Sequence, residues 1–411
     1  MKSIEYNRDP DLIERITKRR ELIRTEGNRS DGISSNVNPS VAPEWFDRQH
    51  FQHAQKLFKN YKTIIRVSEF VGLNMVLYHE HGLIPLLATG NSSTVSKLFI
   101  RYLSTIKHVT NWFEADPFDP KSKSFRSLKI VRSMHSKTAK QLNRQAGHFD
   151  ENDCIVDEAK FLFISQYGMC HAQFSFVGFM AIFPKQFGYH NFKRNDFEAL
   201  FHFWRVIGYC LGTDDRYNLC SGSFEETMEL CRQIYFEEWL PSIRNLKTDA
   251  SIKMAKAICL AMSYVSPNID YSALMRYCAP FLEIPIDDFP LETFHSKFLY
   301  SGYKVLFQHV AKSSVIMRLL SIASEFRVQR AIRNQNKIEE LLRKKYPDIE
   351  LKQEWNDQNR CPFQAKFQYT SAISKDSPTE QTDSNDNLND QSCDSDNNNN
   401  NAKLQQTVME I

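Results

Sequence analysis

FEALFHFWRVIGYCL, residues 197–211, sets Phe197, Leu200, Phe201, Trp204, Ile207 and Leu211 three or four residues apart, with one adjacent pair. That spacing places them on one face of a 3.6-residue helix rather than on alternate sides of a strand. Residues 98–113 repeat the pattern with Leu98, Phe99, Tyr102, Ile106, Val109 and Phe113. Strand-like alternation is scarce, and 13 Gly in 411 residues is too few for a turn-rich all-β chain. The sequence predicts an all-α domain.

Working outward, the helical pattern covers residues 44–350. Residues 1–43 are polar and basic, with one short amphipathic stretch carrying Leu12, Ile13, Ile16, Leu22 and Ile23. A Ser/Asn/Gly/Pro-rich linker then runs to Pro43. Residues 351–411 form a polar, acidic, Asn-rich tail. It ends in the run Asn397–Asn401 followed by ten residues, and has too little apolar surface to offset its ordering entropy. The balance of 52 Lys+Arg against 49 Asp+Glu leaves a formal charge of +3, which excludes a general electrostatic nucleic-acid binder. An ordered domain of this size buries about three quarters of its unfolded surface, so it needs no disulfide or structural zinc. The nine cysteines form no CxxC pair and are odd in number. With no signal-peptide pattern at the start, they indicate a reduced, intracellular chain.

Two stretches raise the question of a membrane. Phe161–Phe183 carries no formal charge over 23 residues, long enough to cross a bilayer. Its Ser165, Gln166, His171, Gln173 and Ser175 instead suit a buried central helix. Val305–Phe326 is interrupted by Lys312 and Arg318, with Arg327, Arg330 and Arg333 behind it. It reads as the last helix of a bundle or as a helix lying on a membrane surface.

The chemistry is not announced by a standard signature: HExxH, GxSxG, Walker and GxGxxG patterns are absent. His79-Glu80-His81 and His50/His53 lack a second ligand cluster at fixed spacing and read as surface histidines. The informative stretch is 125–142. On a helix, Phe125, Leu128, Arg132, His135, Ala139 and Leu142 share one stripe, so an apolar face contains an Arg and a His one turn apart. A buried guanidinium needs an anionic partner, and a neutral imidazole offers a lone pair to a metal. Haem, with a central iron and peripheral carboxylates, would satisfy both. Alternatively, Arg132 bonds a buried acid and His135 a backbone carbonyl, the reading that spacing alone favours. A second polar stripe, Arg101, Thr105, His108 and Trp112, flanks the apolar face of 98–113. It suits a bound oxygen species or a carboxylate, or is simply a solvated helix flank.

Several short motifs occur in order: Arg101-x-x-x-Thr105, Val131-Arg132-x-Met134-His135, Gln166-Tyr167-x-Met169, and Phe203-Trp204-Arg205-Val206-Ile207-Gly208-Tyr209-x-Leu211-Gly212, with Asn218 following. Over residues 45–330 the chain resembles the catalytic domain shared by the fungal ER-bound oxygenases of mycophenolic acid biosynthesis and the bacterial rubber oxygenases (latex-clearing proteins). The resemblance implies a globin-like helical bundle enclosing a haem b pocket. It makes His135 the iron ligand and Arg132 a haem-binding residue, with Arg101 and Thr105 as catalytic residues beside bound O2. It also implies oxidative C=C cleavage of an unsaturated apolar substrate, an isoprenoid or lipid chain. A cytoplasmic or ER-membrane-associated location follows, with peripheral membrane association left open.

Departures accompany the resemblance. Ser104 stands where some rubber oxygenases have a distal lysine, and Ala139 where a second Arg would follow the proximal His. The acid upstream of the Arg–Thr pair has no clear match; Glu80 is the nearest. These departures keep two rivals open: a non-catalytic helical module binding haem or lipid, and a membrane-associated scaffold in which Arg132 and His135 form a structural network. His171 and Gln173 are secondary pocket candidates, Trp204 and Asn218 read as packing and loop-capping residues, and Cys170, Cys210 and Cys220 as buried thiols.

Overall fold

Helix-start chemistry recurs along the chain: an Asp, Ser or Thr just before an apolar-periodic run accepts the orphan N–H groups of the first turn. Asp9 opens α1 (Pro10–Thr25) by accepting from the Leu12 amide, and Asp47 opens α2 (Arg48–Met75) by accepting from Gln49 and His50. After α3 (Glu80–Ala88), Thr94 opens α4 (Val95–Glu114) and Ser122 opens α5 (Lys123–Gln145). Ser165 opens α6 (Gln166–Ile182). The Asp196 carboxylate accepts from the Lys193 amide at the start of α7 (Arg194–Leu211), which ends at Gly212 in the left-handed region, φ 108°. A Ser223/Glu226 capping box opens α8 (Phe224–Ile234), and a π-helical turn, Tyr235–Trp239, leads into α9 (Leu240–Asn245). Then follow α10 (Asp249–Ser263), α11 (Tyr271–Cys278), α12 (Phe294–Gln308), α13 (Ser314–Arg333) and α14 (Gln335–Lys345).

This computed structural model describes residues 6–33, 38–88, 90–150, 155, 161–245 and 249–347. The tail expected at 351–411 lies outside them. Among the described residues the only β-type pairings are two isolated bridges, Asp31–Ser165 and Phe149–Ile155. The fold is all-α, as the periodicity predicts.

Helix α6 is the centre. Most of its side chains are buried, Phe174, Val177 and Phe179 among them, and α2, α7 and α8 pack around it. A helix apolar on all sides is a core helix, and no described helix is long and apolar enough to cross a membrane. The second membrane candidate is two helices rather than one: the chain leaves helical geometry at His309, and Ser313 starts α13 anew. The α2–α6 crossing is so close that a Cβ on Gly72 would sit 1.9 Å from the Ser175 carbonyl oxygen. Helix α1, inside the segment 1–43 set apart in the sequence, buries Leu12, Ile16 and Ile23 and packs along α8. Tyr6 and Arg8 both donate to the buried Glu229 carboxylate, each at 2.7 Å. Burial pushes that carboxyl up, but these bonds and the Gln233 amide outweigh it and hold the pKa down at about 2.

Candidate functional site

Helices α4 and α5 lie side by side and carry the four residues singled out by sequence. The stripe Arg101, Thr105, His108, Trp112 is not a solvated flank, because its lower half packs onto α5. His108 Nδ1 lies 2.7 Å from Ser127 Oγ, and the Trp112 indole donates to the same oxygen at 2.9 Å. Burial and the nearby Lys107 charge keep His108 neutral, with its pKa held down at about 4.

His135 faces this stripe from α5. Its Nδ1 is buried without a hydrogen-bond partner. Its pKa is pushed down to about 4, first by desolvation and then by the positive charge of Arg101. The result is a neutral imidazole with a lone pair to offer at pH 7. The backbone carbonyl expected for an ordinary core histidine is missing. Arg101 beside it donates to Ser92 Oγ at 3.2 Å, and desolvation lowers its pKa.

Arg132 points elsewhere. Its Nη2 donates to the Ile33 carbonyl at 3.0 Å, near Asp31 and Tyr209, so the buried acid of the alternative reading is replaced by a backbone oxygen. Thr105 donates to the Arg101 carbonyl at 3.1 Å, and its side chain borders an interior cavity of about 160 Å³. The structure therefore groups Arg101 with His135, turns Thr105 toward the cavity, and sets Arg132 against the loop before Ile33.

That cavity, between α2, α4, α6, α10, α12 and α13, contains the residue the sequence reading passed over. Glu69 lines it together with Thr105, Tyr102, Phe70, Leu73 and Phe176. Its Oε1 has no hydrogen-bond partner, and burial pushes its pKa up to about 8, offset only in part by Arg66. A neutral carboxylic acid thus faces an apolar space at pH 7. A signal existed, since Phe58, Lys62, Ile65, Glu69 and Gly72 form one stripe of α2, an acid on an apolar face.

A second cluster brings together His79, His171 and Glu238, one ligand atom of each within 4.8 Å of the others. His79 is buried rather than on the surface. The Trp239 indole, which can only donate, gives its hydrogen to His171 Nδ1 at 2.8 Å. A neutral His171 therefore carries its proton on Nε2, 3.2 Å from Glu238 Oε2, and has no lone pair there for a metal. Tyr167 donates to the same carboxylate oxygen at 2.8 Å. Desolvation raises the Glu238 pKa, but His171, Tyr167 and the Arg20 charge outweigh it and keep the group ionised. The π turn at Tyr235–Trp239 delivers both Glu238 and Trp239 to this network. Glu238 is a bonded buried carboxylate, and His171 is a core histidine whose Nε2 lies close to it without a well-formed hydrogen bond.

The remaining motif residues are scaffold. Gln173 donates to the Trp204 carbonyl and Asn218 Oδ1, and Asn218 donates to the Arg205 carbonyl, which ties the end of α7 to α6. Trp204 stacks on Phe176 at 4.5 Å. Cys170, Cys210 and Cys220 are buried free thiols, with Cys170 pushed up to about 12 by burial, so none is poised as a nucleophile.

Of the residues that a haem would need, His135 offers an unpartnered neutral imidazole suited to iron, while the guanidinium of Arg132 is given to the Ile33 carbonyl and that of Arg101 to Ser92 Oγ. No protein-family model matches the chain, and no curated protein matches it. A solved structure described as that of latex clearing protein LCP in the closed state is similar. Its TM-score is 0.52 at 12% identity, covering 78% of this chain and 88% of that one. That likeness is one of fold.

Proposed function

We propose that this protein is a haem b-dependent oxygenase that uses O2 to cleave a C=C bond in an unsaturated apolar chain, isoprenoid or lipid. The observation that carries the reading is His135: a neutral imidazole whose Nδ1 is buried without a hydrogen-bond partner, beside Arg101. The latex-clearing-protein fold supports the same reading, as do the ordered motifs shared with the ER-bound and rubber oxygenases.

In this reading His135 would hold the iron and Arg132, released from the Ile33 carbonyl, a haem carboxylate, with Arg101 and Thr105 as the catalytic residues. Bound haem supplies the oxygen chemistry. The chain's own residues do the rest. Phe70, Leu73 and Phe176 exclude water from the Glu69–Thr105 cavity and suit an apolar chain. The Thr105 hydroxyl, now given to the Arg101 carbonyl, is the neutral donor on that wall. Glu69 holds a proton at pH 7 and, with its pKa about 8, can give or take one near neutrality. At about 160 Å³ the cavity is close in size to one of about 150 Å³ that holds benzene, enough for a short segment of an apolar chain.

An absorption spectrum of protein purified with haem supplied tests this, alongside His135→Ala. The expected result is a Soret band in the wild type that the variant loses or shifts. Oxygen uptake with polyprenyl and polyunsaturated lipids then follows. A wild type that binds no haem overturns the reading. A haem-bound protein that consumes no oxygen leaves the binding module, which Ser104 and Ala139 favour.

A further inference from the structure

Helices α12 and α13 pack inward through Tyr303, Phe307, Met317 and Val328, yet their outer faces are also apolar. On α12 the exposed residues are Phe294, Phe298 and Val305, with Phe294 84% accessible. On α13 they are Val315, Leu319, Ile322 and Phe326, each 60% accessible or more. The faces are continuous, because Phe298 and Val305 line a surface groove together with Ile316 and Leu320 of α13. Isolated apolar residues on a surface need no explanation, but two adjacent helices with outward apolar stripes mark an interaction surface.

Charge identifies the occupant. Residues 294–333 contain seven Lys and Arg against one acid, Glu325. That carboxylate is turned inward to Lys62 and Arg66, each at 2.8 Å. Lys297, Lys304, Lys312 and Arg318 are exposed along the hairpin. Arg330 and Arg333, also exposed, follow Phe326 at helical spacing and continue its stripe. A second copy of the chain would bring cations against cations, whereas an anionic lipid surface complements both the charge and the apolar faces.

We infer that the α12–α13 hairpin is a docking surface for an anionic phospholipid bilayer. The two helices lie in the plane of the headgroups, with Phe298, Leu319, Ile322 and Phe326 in the acyl boundary. Helix α13, 20 residues and about 30 Å long, lies flat rather than spanning. Leu306 lines both the groove and the Glu69–Thr105 cavity, so the docked face is the wall that brings the cavity next to lipid. The docking stands on the hairpin alone and is independent of the haem reading.

Co-sedimentation of the full chain with vesicles tests it, comparing pure phosphatidylcholine with a phosphatidylcholine/phosphatidylserine mixture. Binding is expected to the mixture, weakening with salt. Arg330→Gln with Arg333→Gln should weaken it about 30-fold, from about 1 kcal/mol for each cation removed. Leu319→Ser with Ile322→Ser, both outward-facing, should abolish it while the urea-unfolding midpoint stays within error of the wild type. Absence of binding to the phosphatidylserine vesicles overturns the proposal, as does binding that survives both double variants. Sedimentation analysis that finds a dimer dissolved by Leu319→Ser with Ile322→Ser assigns the face to self-association and also overturns it.

Discussion

Replacing Glu69 by Gln isolates the cost of keeping a carboxyl group in an apolar cavity. Burial moves its pKa from 4.5 in the unfolded chain to about 8 in the folded one. The folded protein therefore binds more protons than the unfolded chain between these values, and stability falls as pH rises through that window. At about 1.4 kcal/mol for each pH unit, the group destabilises the fold by about 3 kcal/mol at pH 7 relative to acid, of which about 2.5 kcal/mol accrues between pH 5 and pH 7. Glu69→Gln has no such proton to keep. Its amide brings its own burial cost, but that cost does not vary with pH. Other groups with displaced pKa values, such as His135 at about 4 and Glu229 at about 2, titrate in both proteins and cancel in the difference. Urea unfolding at pH 5, 6, 7 and 8, followed by tryptophan fluorescence, should show the variant gaining about 2.5 kcal/mol on the wild type from pH 5 to pH 7. Stability curves that run parallel across that range would refute the assignment of a protonated Glu69.

Gly72→Ala forces a Cβ to within 1.9 Å of the Ser175 carbonyl, a backbone atom that cannot swing aside. The α2–α6 crossing must then open, and a thermal melt should register a loss of at least about 2 kcal/mol. Zinc should leave the melting temperature of the wild type unchanged, because the Trp239 indole occupies His171 Nδ1 and sends the ring proton to the metal-facing nitrogen. A concentration-dependent rise that His171→Gln removes would show that the tautomer is the other one.

What the sequence makes legible is what is local. The faces of 197–211 and 98–113 are set by residues three and four apart, and both become helices with those residues inside, Ile106 alone half-buried. The uncharged run at 161–183 becomes the buried α6 because its few polar groups bond within the protein. The stripe bearing Arg132 and His135 is equally visible, but its partners are not. Arg132 bonds the carbonyl of Ile33, 99 residues away, and a backbone acceptor leaves no trace in a side-chain pattern. Glu238 reaches His171 across 67 positions through a π turn that periodicity does not mark. Glu69 was within reach, an acid on an apolar stripe, and only its cavity shows why it is there.

Helix α1 has a consequence in time as well as in space. It is made well before its partners, since Tyr6 and Arg8 close on Glu229, and Arg19 donates to the Ser221 carbonyl at 2.8 Å. At about 5–20 residues per second, the 223 residues from Tyr6 to Glu229 take about 10–45 s to synthesise. Throughout that interval Leu12, Ile16 and Ile23 have no α8 to cover them. The nascent chain then carries an amphipathic basic helix whose binding site does not yet exist, and whatever shields it must let go when α8 arrives.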